Sequence, residues 1–401
     1  MNKILLSLLL LSLHGLAQPI PKTMKHLPDS GQNTSYTSVF GEDNDYSFFT
    51  PYYLNNNDGT VTDTVTGLMW QRTDGGEMTF ENAKIYCDTL TLGGYTNWRL
   101  PSVREGFSIL DLGALNPAMN TTYFPNTTAE YWWSSEKAKN DTNKIWVTNS
   151  GGGQGAHPRN ETISAGGNKK FHARAVRDII TPAIIPAHFT VNGDSTVTDN
   201  LTNLMWIQYP TTDSLSWSDA LNLAEQTAIA GHTDWRLPNI KELQSLNNTQ
   251  LYQPSIDNTI FPSIQNAKYW SSTSQYPNGT NAWYIDIQNY GLTTYLVKSR
   301  KLLVMTVRNA SLPNAIQQVT DYKLQCSVFP NPTTNMLHVS WQNEEQKLVQ
   351  LMVIDMHGRC FFSISTMQQS LIINTDYYPK GMYFVKITKA ENEGCASFIK
   401  E

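Results

Sequence analysis

The sequence predicts an α+β fold in which one module is made twice and a small all-β domain follows. Three observations support this prediction: a repeated series of motifs, helix-capping patterns at matching places in both copies, and alternating strand patterns near the C terminus. The repeat interval is 137 residues, which separates Trp98 from Trp235 and Trp133 from Trp270. An interval this long matches a whole domain rather than one unit of a solenoid.

The repeated motifs occur in the same order in both copies. An Asp-x-Thr-Val-Thr-Asp turn leads into a strand and is followed by Leu-Met-Trp, Trp-Arg-Leu-Pro and Tyr-Trp-Ser-Ser segments. They lie at 58–63, 66–70, 98–101 and 131–135 in the first copy, and at 194–199, 202–206, 235–238 and 268–272 in the second. Large aromatic residues at matched positions are typical of a core, so we expect the shared tryptophans to be structural rather than sugar-binding.

Each copy contains two predicted helices. The first helix follows a hydroxyl side chain at Thr79 or Ser216, and the second follows Ser102 or Asn239. Such side chains accept hydrogen bonds from amide groups that the start of a helix leaves unpaired. Aromatic and β-branched runs split by Gly and Asn fill the rest of each copy and predict short strands. Each module is therefore predicted to pack two helices against short, irregular sheets.

The chain is predicted to begin with a signal peptide. Lys3 precedes an apolar run at 4–13, and small residues at 15–17 form a cleavage site. That run is too short to span a bilayer, and no later stretch is long enough, so no transmembrane segment is expected. The predicted divisions are a signal peptide at 1–17, modules at 27–178 and 188–309, a linker at 310–322 and a β-sandwich at 323–401.

Composition excludes several classes of partner and cofactor. The formal net charge of −5 gives no general attraction for nucleic acid or anionic membrane. The four cysteines are too few for a disulfide framework, although Cys360 and Cys395 are a possible pair. The histidines are scattered, and the turn at 56–63 lacks the ligands of a calcium loop. We therefore predict no metal site and no cofactor.

The motif series resembles the Lcl C-terminal domain family through most of residues 27–178 and 188–309. Residues 27–32 and 41–46 also resemble the lead-in common in such proteins. The resemblance implies a fold similar to C-type lectins and formylglycine-generating enzymes, and the adhesin domain that names the family binds sulfated polysaccharides. Family members often pair a helix cysteine with one in the final strand, but Ala175 stands opposite Cys87 here. The copper-binding cysteine pair of formylglycine generation is also absent, which argues against that activity.

The C-terminal segment resembles the type IX secretion sorting domain. Val328–Pro332, Val353–Arg359 and Pro379–Lys386 match its opening, its central turn and its Gly-x-Tyr strand. The resemblance covers about residues 326–401 and implies handling by the type IX secretion machinery, removal of the tail, and release from or attachment to the outer cell surface. An ordinary β-sandwich binding domain fits the strand periodicity equally well, but it does not explain the order of the motifs.

Basic side chains near the end of each copy are the candidate ligand-binding residues. In a strand, Lys170, His172 and Arg174 would share one face and could hold sulfate or carboxylate groups by charge-assisted hydrogen bonds. The alternative is that they are solvated edge-strand charges that discourage aggregation. The full set is Lys169, Lys170, His172 and Arg174 in the first copy, and Lys298, Arg300 and Lys301 in the second.

No catalytic residue is predicted. The paired serines at 134–135 and 271–272 lack a histidine that recurs between the copies, and capping explains Glu105 and Glu242. We therefore expect a secreted or surface-displayed, non-enzymatic protein that recognises extracellular glycans in adhesion, with duplication raising avidity. The alternatives are an enzyme on a fold like that of formylglycine-generating enzymes, and a purely structural surface component.

Overall fold

The computed structural model describes residues 20–127, 130–167, 169–310, 324–343, 347–355, 360–389 and 392–401. The predicted signal peptide and most of the predicted linker lie outside these residues. The protein is mainly β, with 39% strand and 11% helix, so the predicted α+β class is wrong. Capping patterns locate the starts of the helices correctly, but each helix is only six or ten residues long, and strands supply most of the framework.

Module 1 combines a small antiparallel sheet, two short helices and a set of longer strands. Its small sheet has the strand order β2-β3-β4-β9, and strands β5 to β8 form part of a larger sheet. The elements, including the strand that precedes the module, are β1 (Ile20–Lys22), β2 (Tyr53–Asn55), β3 (Thr60–Asp63), β4 (Leu68–Gln71), α1 (Phe80–Thr89), α2 (Val103–Ser108), β5 (Tyr131–Ala138), β6 (Asp141–Asn149), β7 (Gln154–Pro158), β8 (Phe171–His172) and β9 (Val176–Asp178).

Module 2 repeats this arrangement after a connecting strand that pairs with β1. Its small sheet has the order β11-β12-β13-β17, which matches the small sheet of module 1 strand for strand. The elements are β10 (Ala183–Ile185), β11 (Phe189–Val191), β12 (Thr196–Asp199), β13 (Leu204–Ile207), α3 (Trp217–Gln226), α4 (Ile240–Ser245), β14 (Lys268–Ser274), β15 (Asn281–Asp286), β16 (Leu292–Val297) and β17 (Val307–Asn309).

The Trp-Arg-Leu-Pro motif anchors the start of the second helix in each module. Ser102 caps α2, and Glu105 completes the capping box. The Arg99 guanidinium donates two hydrogen bonds, of 2.7 and 2.8 Å, to the same Glu105 carboxylate. Arg236 and Glu242 repeat this at α4, with two bonds of 2.6 Å. A planar guanidinium matches both carboxylate oxygens, so the motif fixes the segment before each helix to the helix itself.

The two modules join through equivalent elements. Strand β7 pairs antiparallel with β16 at Gln154 and Thr293, which unites their larger sheets in the order β14-β15-β16-β7-β6-β5-β8. The backbone N–H of Gln154 also donates to the Thr293 hydroxyl at 2.9 Å. Helices α2 and α4 touch beside this joint. The same edge strand and the same helix of each copy meet their counterparts, so the interface has pseudo-two-fold symmetry.

The apolar core follows the same plan. One cluster contains buried residues of both modules, including Trp70, Phe107, Trp206 and Leu243. Two smaller clusters belong to a single module each, one around Trp133 and one that includes Trp217 and Trp270. The two modules therefore share the largest apolar cluster, and each also has a smaller cluster of its own. The matched tryptophans are all buried, which confirms their structural role.

The C-terminal segment is all β. Two sheets, with the orders β18-β19-β22 and β21-β20-β23-β24, enclose a separate apolar core. None of the helices in the described part of the chain has the length and apolar character that a membrane crossing needs. The strands are β18 (Cys326–Phe329), β19 (Met336–Trp341), β20 (Val349–Asp355), β21 (Cys360–Thr366), β22 (Ser370–Asn374), β23 (Gly381–Lys389) and β24 (Asn392–Lys400).

Candidate functional site

Arg174, one of the predicted ligand-binding residues, lies in the interior of module 1. Only 1% of its side chain is exposed. Its guanidinium donates to the carbonyl oxygens of Gln71 and Arg72 at 2.9 and 2.8 Å, and it lies over the rings of Phe124 and Trp132. Burial lowers the Arg174 pKa to about 10, against the opposing charge of a nearby carboxylate. The side chain holds the loop after β4 in place and does not reach solvent.

That carboxylate belongs to Asp74, which also contacts His172. The Nδ1 atom of His172 lies 3.0 Å from Asp74 Oδ1, and the Trp132 indole N–H donates to Oδ2 at 2.9 Å. Burial opposes ionisation of Asp74, but the hydrogen bond from His172, the charge of Arg174 and the bond from Trp132 outweigh it and lower the Asp74 pKa to about 2. His172 and Arg174 therefore face an internal carboxylate.

The two lysines of this stripe remain closer to solvent. Lys170 is exposed, and its ammonium lies 2.9 Å from a carboxylate oxygen of Glu77. Lys169 is half-buried; its ammonium donates to Asn149 Oδ1 at 3.0 Å and lies 5.3 Å from the centroid of the Tyr131 ring. The structure does not bring the four basic residues of module 1 to one exposed face.

The basic residues of module 2 also separate. The Lys298 ammonium lies 3.7 Å from the Trp217 ring centroid, donates to Ser274 Oγ at 2.7 Å and is 3.9 Å from Glu42. Burial lowers the Lys298 pKa to about 8, although the charge of Glu42 opposes this. Arg300 and Lys301 are exposed on the turn after β16.

Lys169, one of the predicted binding residues, lies in a compact group with three residues that were not predicted. We call Tyr131, Asn149, His157 and Lys169 the aromatic–lysine patch. The Tyr131 ring stacks on Phe171 at 5.0 Å and meets the His157 ring at 4.7 Å, and all four patch residues are half-buried. The patch therefore presents part of an aromatic surface beside an ammonium and an amide.

The patch belongs to module 1 alone. At the 137-residue interval, Lys268 and Asp286 replace Tyr131 and Asn149, and their charged groups lie 3.7 Å apart. Module 2 thus has an ion pair where module 1 has an aromatic ring and an amide. Burial lowers the His157 pKa, and the positive charges of Lys144 and Lys169 lower it further, so two ammonium groups act on this region of module 1.

A concave feature, the module 1 cleft, has a volume of about 640 Å³ and opens beside α1, α2 and β5. Residues of the chain before β2 form one wall. Both signs of charge line the cleft: Lys84, Arg99, Arg104, Lys137 and Arg159 are basic, and Glu81, Asp88, Glu105 and Glu136 are acidic. Such a mixture is suited to a polar ligand rather than an apolar one.

In module 2, the lead-in segment (residues 27–50) fills the equivalent space. Glu42 and Asp43 are buried there, and the Thr273 hydroxyl donates to Asp43 Oδ2 at 2.6 Å while Ser274 Oγ donates to Glu42. The backbone N–H of Ser274 donates to Gln32 Oε1 at 2.6 Å. The predicted boundaries place this segment in module 1, whereas these contacts are with module 2.

Sequence reasoning missed the role of Glu42 and Asp43. A signal was available, because fewer than ten residues separate the predicted modules and the second copy therefore has no lead-in of its own. A buried pair of adjacent carboxylates needs donors from its surroundings, and hydroxyl-rich Ser271–Ser274 supplies them on the opposite module. Pattern analysis within one copy does not connect these two segments.

The described residues contain no group of three or more His, Cys, Asp or Glu side chains arranged to hold a metal ion. All four cysteines are present as thiols, so the possible bridge between Cys360 and Cys395 is not formed. The repeated serines serve structure: Ser271 Oγ donates to the Trp283 carbonyl oxygen at 2.8 Å, and Ser134 Oγ accepts from the Glu136 amide at 3.2 Å.

These features define a mainly β protein with two fused, pseudo-symmetric modules and a separate β-sandwich tail. Residues 59–177 and 195–308 match the model of the Lcl C-terminal domain, and residues 327–401 match that of the secretion system C-terminal sorting domain. The two matches to the Lcl C-terminal domain together cover more than half of the chain. The chain therefore belongs to the Lcl C-terminal domain family. The sorting domain indicates export by type IX secretion to the cell surface or the extracellular space. No match was found among curated proteins.

Proposed function

We propose that this exported protein is a non-enzymatic adhesion component that binds anionic extracellular glycans through the aromatic–lysine patch. The observation that supports the proposal is the position of the Lys169 ammonium, 3.0 Å from Asn149 Oδ1 and 5.3 Å from the Tyr131 ring centroid. An ammonium can pair with a sulfate or carboxylate, an amide can bond to hydroxyls, and an aromatic ring offers an apolar surface to a sugar ring.

The chemistry of the surroundings favours an anionic ligand over a neutral one. Lys144 acts electrostatically on His157 together with Lys169, and exposed Lys170 follows Lys169 directly in the chain. Lys144 and Lys170 are paired with Asp141 and Glu77, whereas the Lys169 ammonium donates to the neutral amide of Asn149. Interactions of exposed charges weaken as salt concentration rises, so binding at the patch should depend on ionic strength.

Titration of a heparin-derived tetrasaccharide into the full chain tests the proposal. We expect Lys169→Ala and Tyr131→Ala each to weaken binding about tenfold, in line with the loss of one charge-assisted or aromatic contact. Raising the salt concentration should weaken wild-type binding further. Arg300→Ala is the matched control, because Arg300 is an exposed cation of the other module and lies outside the patch.

Thermal unfolding of each variant separates a loss of ligand contacts from a loss of fold. Absence of binding to the wild-type chain would contradict the proposal. Equal losses for Lys169→Ala and Arg300→Ala would also contradict it, since the effect would then follow net charge rather than the patch.

A further inference from the structure

The module 1 cleft corresponds position by position to the space that the lead-in segment fills in module 2. Five of its lining residues have counterparts at the 137-residue interval that contact or adjoin the lead-in segment. Arg159 corresponds to Lys298 because each carbonyl oxygen accepts the N–H of the first helical residue, Phe80 or Trp217, at 3.1 Å. The pairs are Phe80 and Trp217, Asp88 and Glu225, Arg99 and Arg236, Glu136 and Thr273, and Lys137 and Ser274.

We propose that the module 1 cleft binds an acidic peptide segment of a partner polypeptide. The segment would carry a carboxylate side chain followed six residues later by an aromatic ring, as Glu42 and Phe48 do in the lead-in segment. The protein would thus use one kind of groove twice, once to secure its own chain on module 2 and once to hold another chain on module 1.

The carboxylate requirement follows from the contacts of Glu42. In module 2 this side chain is fully buried, accepts from Ser274 Oγ, and lies 3.9 Å from the Lys298 ammonium. In the module 1 cleft, Lys137 and Arg159 stand at the positions of Ser274 and Lys298. Arg159 is ion-paired with Glu81, whose counterpart in module 2 is Ser218, so the added cation that a carboxylate can meet here is the exposed ammonium of Lys137 at the position of Ser274.

The aromatic requirement follows from the two equivalent arginines. The Phe48 ring covers Arg236, whose guanidinium carbon lies 4.4 Å from the ring centroid, and 4% of that side chain is exposed. Arg99 makes the same two bonds to its capping glutamate and a further contact of 3.3 Å to Asp178, and 33% of its side chain is exposed in the cleft. A ring placed over Arg99 as Phe48 lies over Arg236 would complete the guanidinium's surroundings through a cation–π contact.

One substitution makes the cleft selective against a second adjacent carboxylate. In module 2, the Thr273 hydroxyl accepts a hydrogen bond from the amide of Ile240 and donates one to the carboxylate of Asp43. In module 1, the Glu136 carboxylate accepts directly from the amide of Val103 at 3.0 Å. An acidic side chain at the position of Asp43 would meet the negative charge of Glu136, so the preferred segment is neutral there.

The test uses the full chain and a fluorescent, end-blocked peptide with the sequence of residues 36–50 carrying Asp43→Asn. We expect saturable binding in fluorescence anisotropy that weakens at least tenfold when the protein carries both Lys137→Ser and Arg159→Ala. Within the peptide, Glu42→Gln and Phe48→Ala should each weaken binding at least fivefold. Restoring Asp43 should weaken it as well.

Matched controls place the site in the cleft. Lys139→Ala removes an exposed cation close to Lys137 in sequence but outside the cleft, and Lys169→Ala removes the cation of the aromatic–lysine patch; both should leave peptide binding unchanged. Circular dichroism of the double variant checks that it is folded. Absence of peptide binding, or binding that the double variant retains, would overturn the inference. So would loss of tetrasaccharide rather than peptide binding in that variant, which would make the cleft a saccharide site.

Discussion

Arg104 and Lys241 occupy the same position in the two modules, and each donates to a backbone carbonyl of the other module's second helix. Arg104 Nη2 lies 2.8 Å from Ser245 O, and Lys241 Nζ lies 2.9 Å from Ser108 O. The acceptors are themselves equivalent, so the pseudo-two-fold relationship extends to individual hydrogen bonds. These bonds also satisfy carbonyl groups that the ends of α2 and α4 leave unpaired, which ties the termination of each helix to the presence of the other.

We predict that Lys241→Met destabilises the protein much more than Arg104→Met. Lys241 is buried, also donates to Asp29 O at 2.7 Å, and has a pKa lowered to about 8 by burial despite nearby carboxylates. Its removal leaves buried acceptors and negative charges without compensation, so we expect the free energy of unfolding to fall by about 3–5 kcal/mol. For half-buried Arg104 we expect about 1 kcal/mol. Urea denaturation measures both, and equal losses would contradict the prediction.

The second prediction concerns Arg174, which the structure places in the interior. Met305 of module 2 lies two residues before β17, as Arg174 lies two residues before β9. Replacement of Arg174 by Met removes the donors to the Gln71 and Arg72 carbonyl oxygens and the charge beside Asp74. We expect a loss of about 3 kcal/mol in the free energy of unfolding.

Arg300→Ala is the control for this change, because it removes an exposed arginine from module 2. Surface substitutions of this kind alter stability by less than about 0.5 kcal/mol. Chemical denaturation followed by tryptophan fluorescence provides the measurement. An Arg174→Met variant as stable as wild type would show that Arg174 is not structural.

Local patterns predict local features of this protein well. The capping side chains at Thr79, Ser102, Ser216 and Asn239 begin helices as predicted, because capping depends on residues within one turn. The pairing of Gln154 with Thr293 is different. It joins edge strands 139 residues apart, and neither strand's own pattern specifies which partner it will meet. The shared sheet was therefore outside the reach of pattern analysis.

The predicted basic stripe fails for a related reason. Alternation places Lys170, His172 and Arg174 on one face only where a strand is continuous, and β8 contains just Phe171 and His172. Beyond β8 the chain leaves the strand, and Arg174 turns into the interior to meet Asp74. The predicted fold class overestimates helix, because aromatic and Gly/Asn-rich segments form many short strands and the described residues contain only four short α-helices.

The third prediction uses the ionisation of Asp43. Burial raises its pKa from 3.8 to about 6, although hydrogen bonds from Ser30 and Thr273 oppose this. The folded state therefore binds a proton more tightly than the unfolded state does, and ionisation of Asp43 reduces stability as pH rises from about 4 to above 6. Asp43→Asn removes this charge and keeps an acceptor oxygen. The stability of the variant relative to wild type should consequently increase between pH 4 and pH 7.

Urea unfolding at several pH values across that window measures the effect. Asp74→Asn is the matched control, because the Asp74 pKa is about 2 in the folded state. The stability that ionised Asp74 contributes is present above pH 3.8 and is lost only as pH falls toward 2. Its difference from wild type should thus stay constant from pH 4 to pH 7. A constant difference for Asp43→Asn over the same window would refute the assigned shift.

The final prediction concerns the thiols. Cys360 and Cys395 lie on the two outer strands of the sheet β21-β20-β23-β24, three strand spacings or roughly 14 Å apart, which is too far for a disulfide. Cys87 and Cys360 are buried, and burial raises the pKa of each thiol to about 12. Iodoacetamide at pH 8 should leave both unmodified in the native protein and label them after unfolding in guanidinium chloride, because only the accessible thiolate reacts. Peptide mass mapping reads out each site, and a disulfide-linked peptide joining Cys360 to Cys395 in the native protein would be incompatible with this strand order.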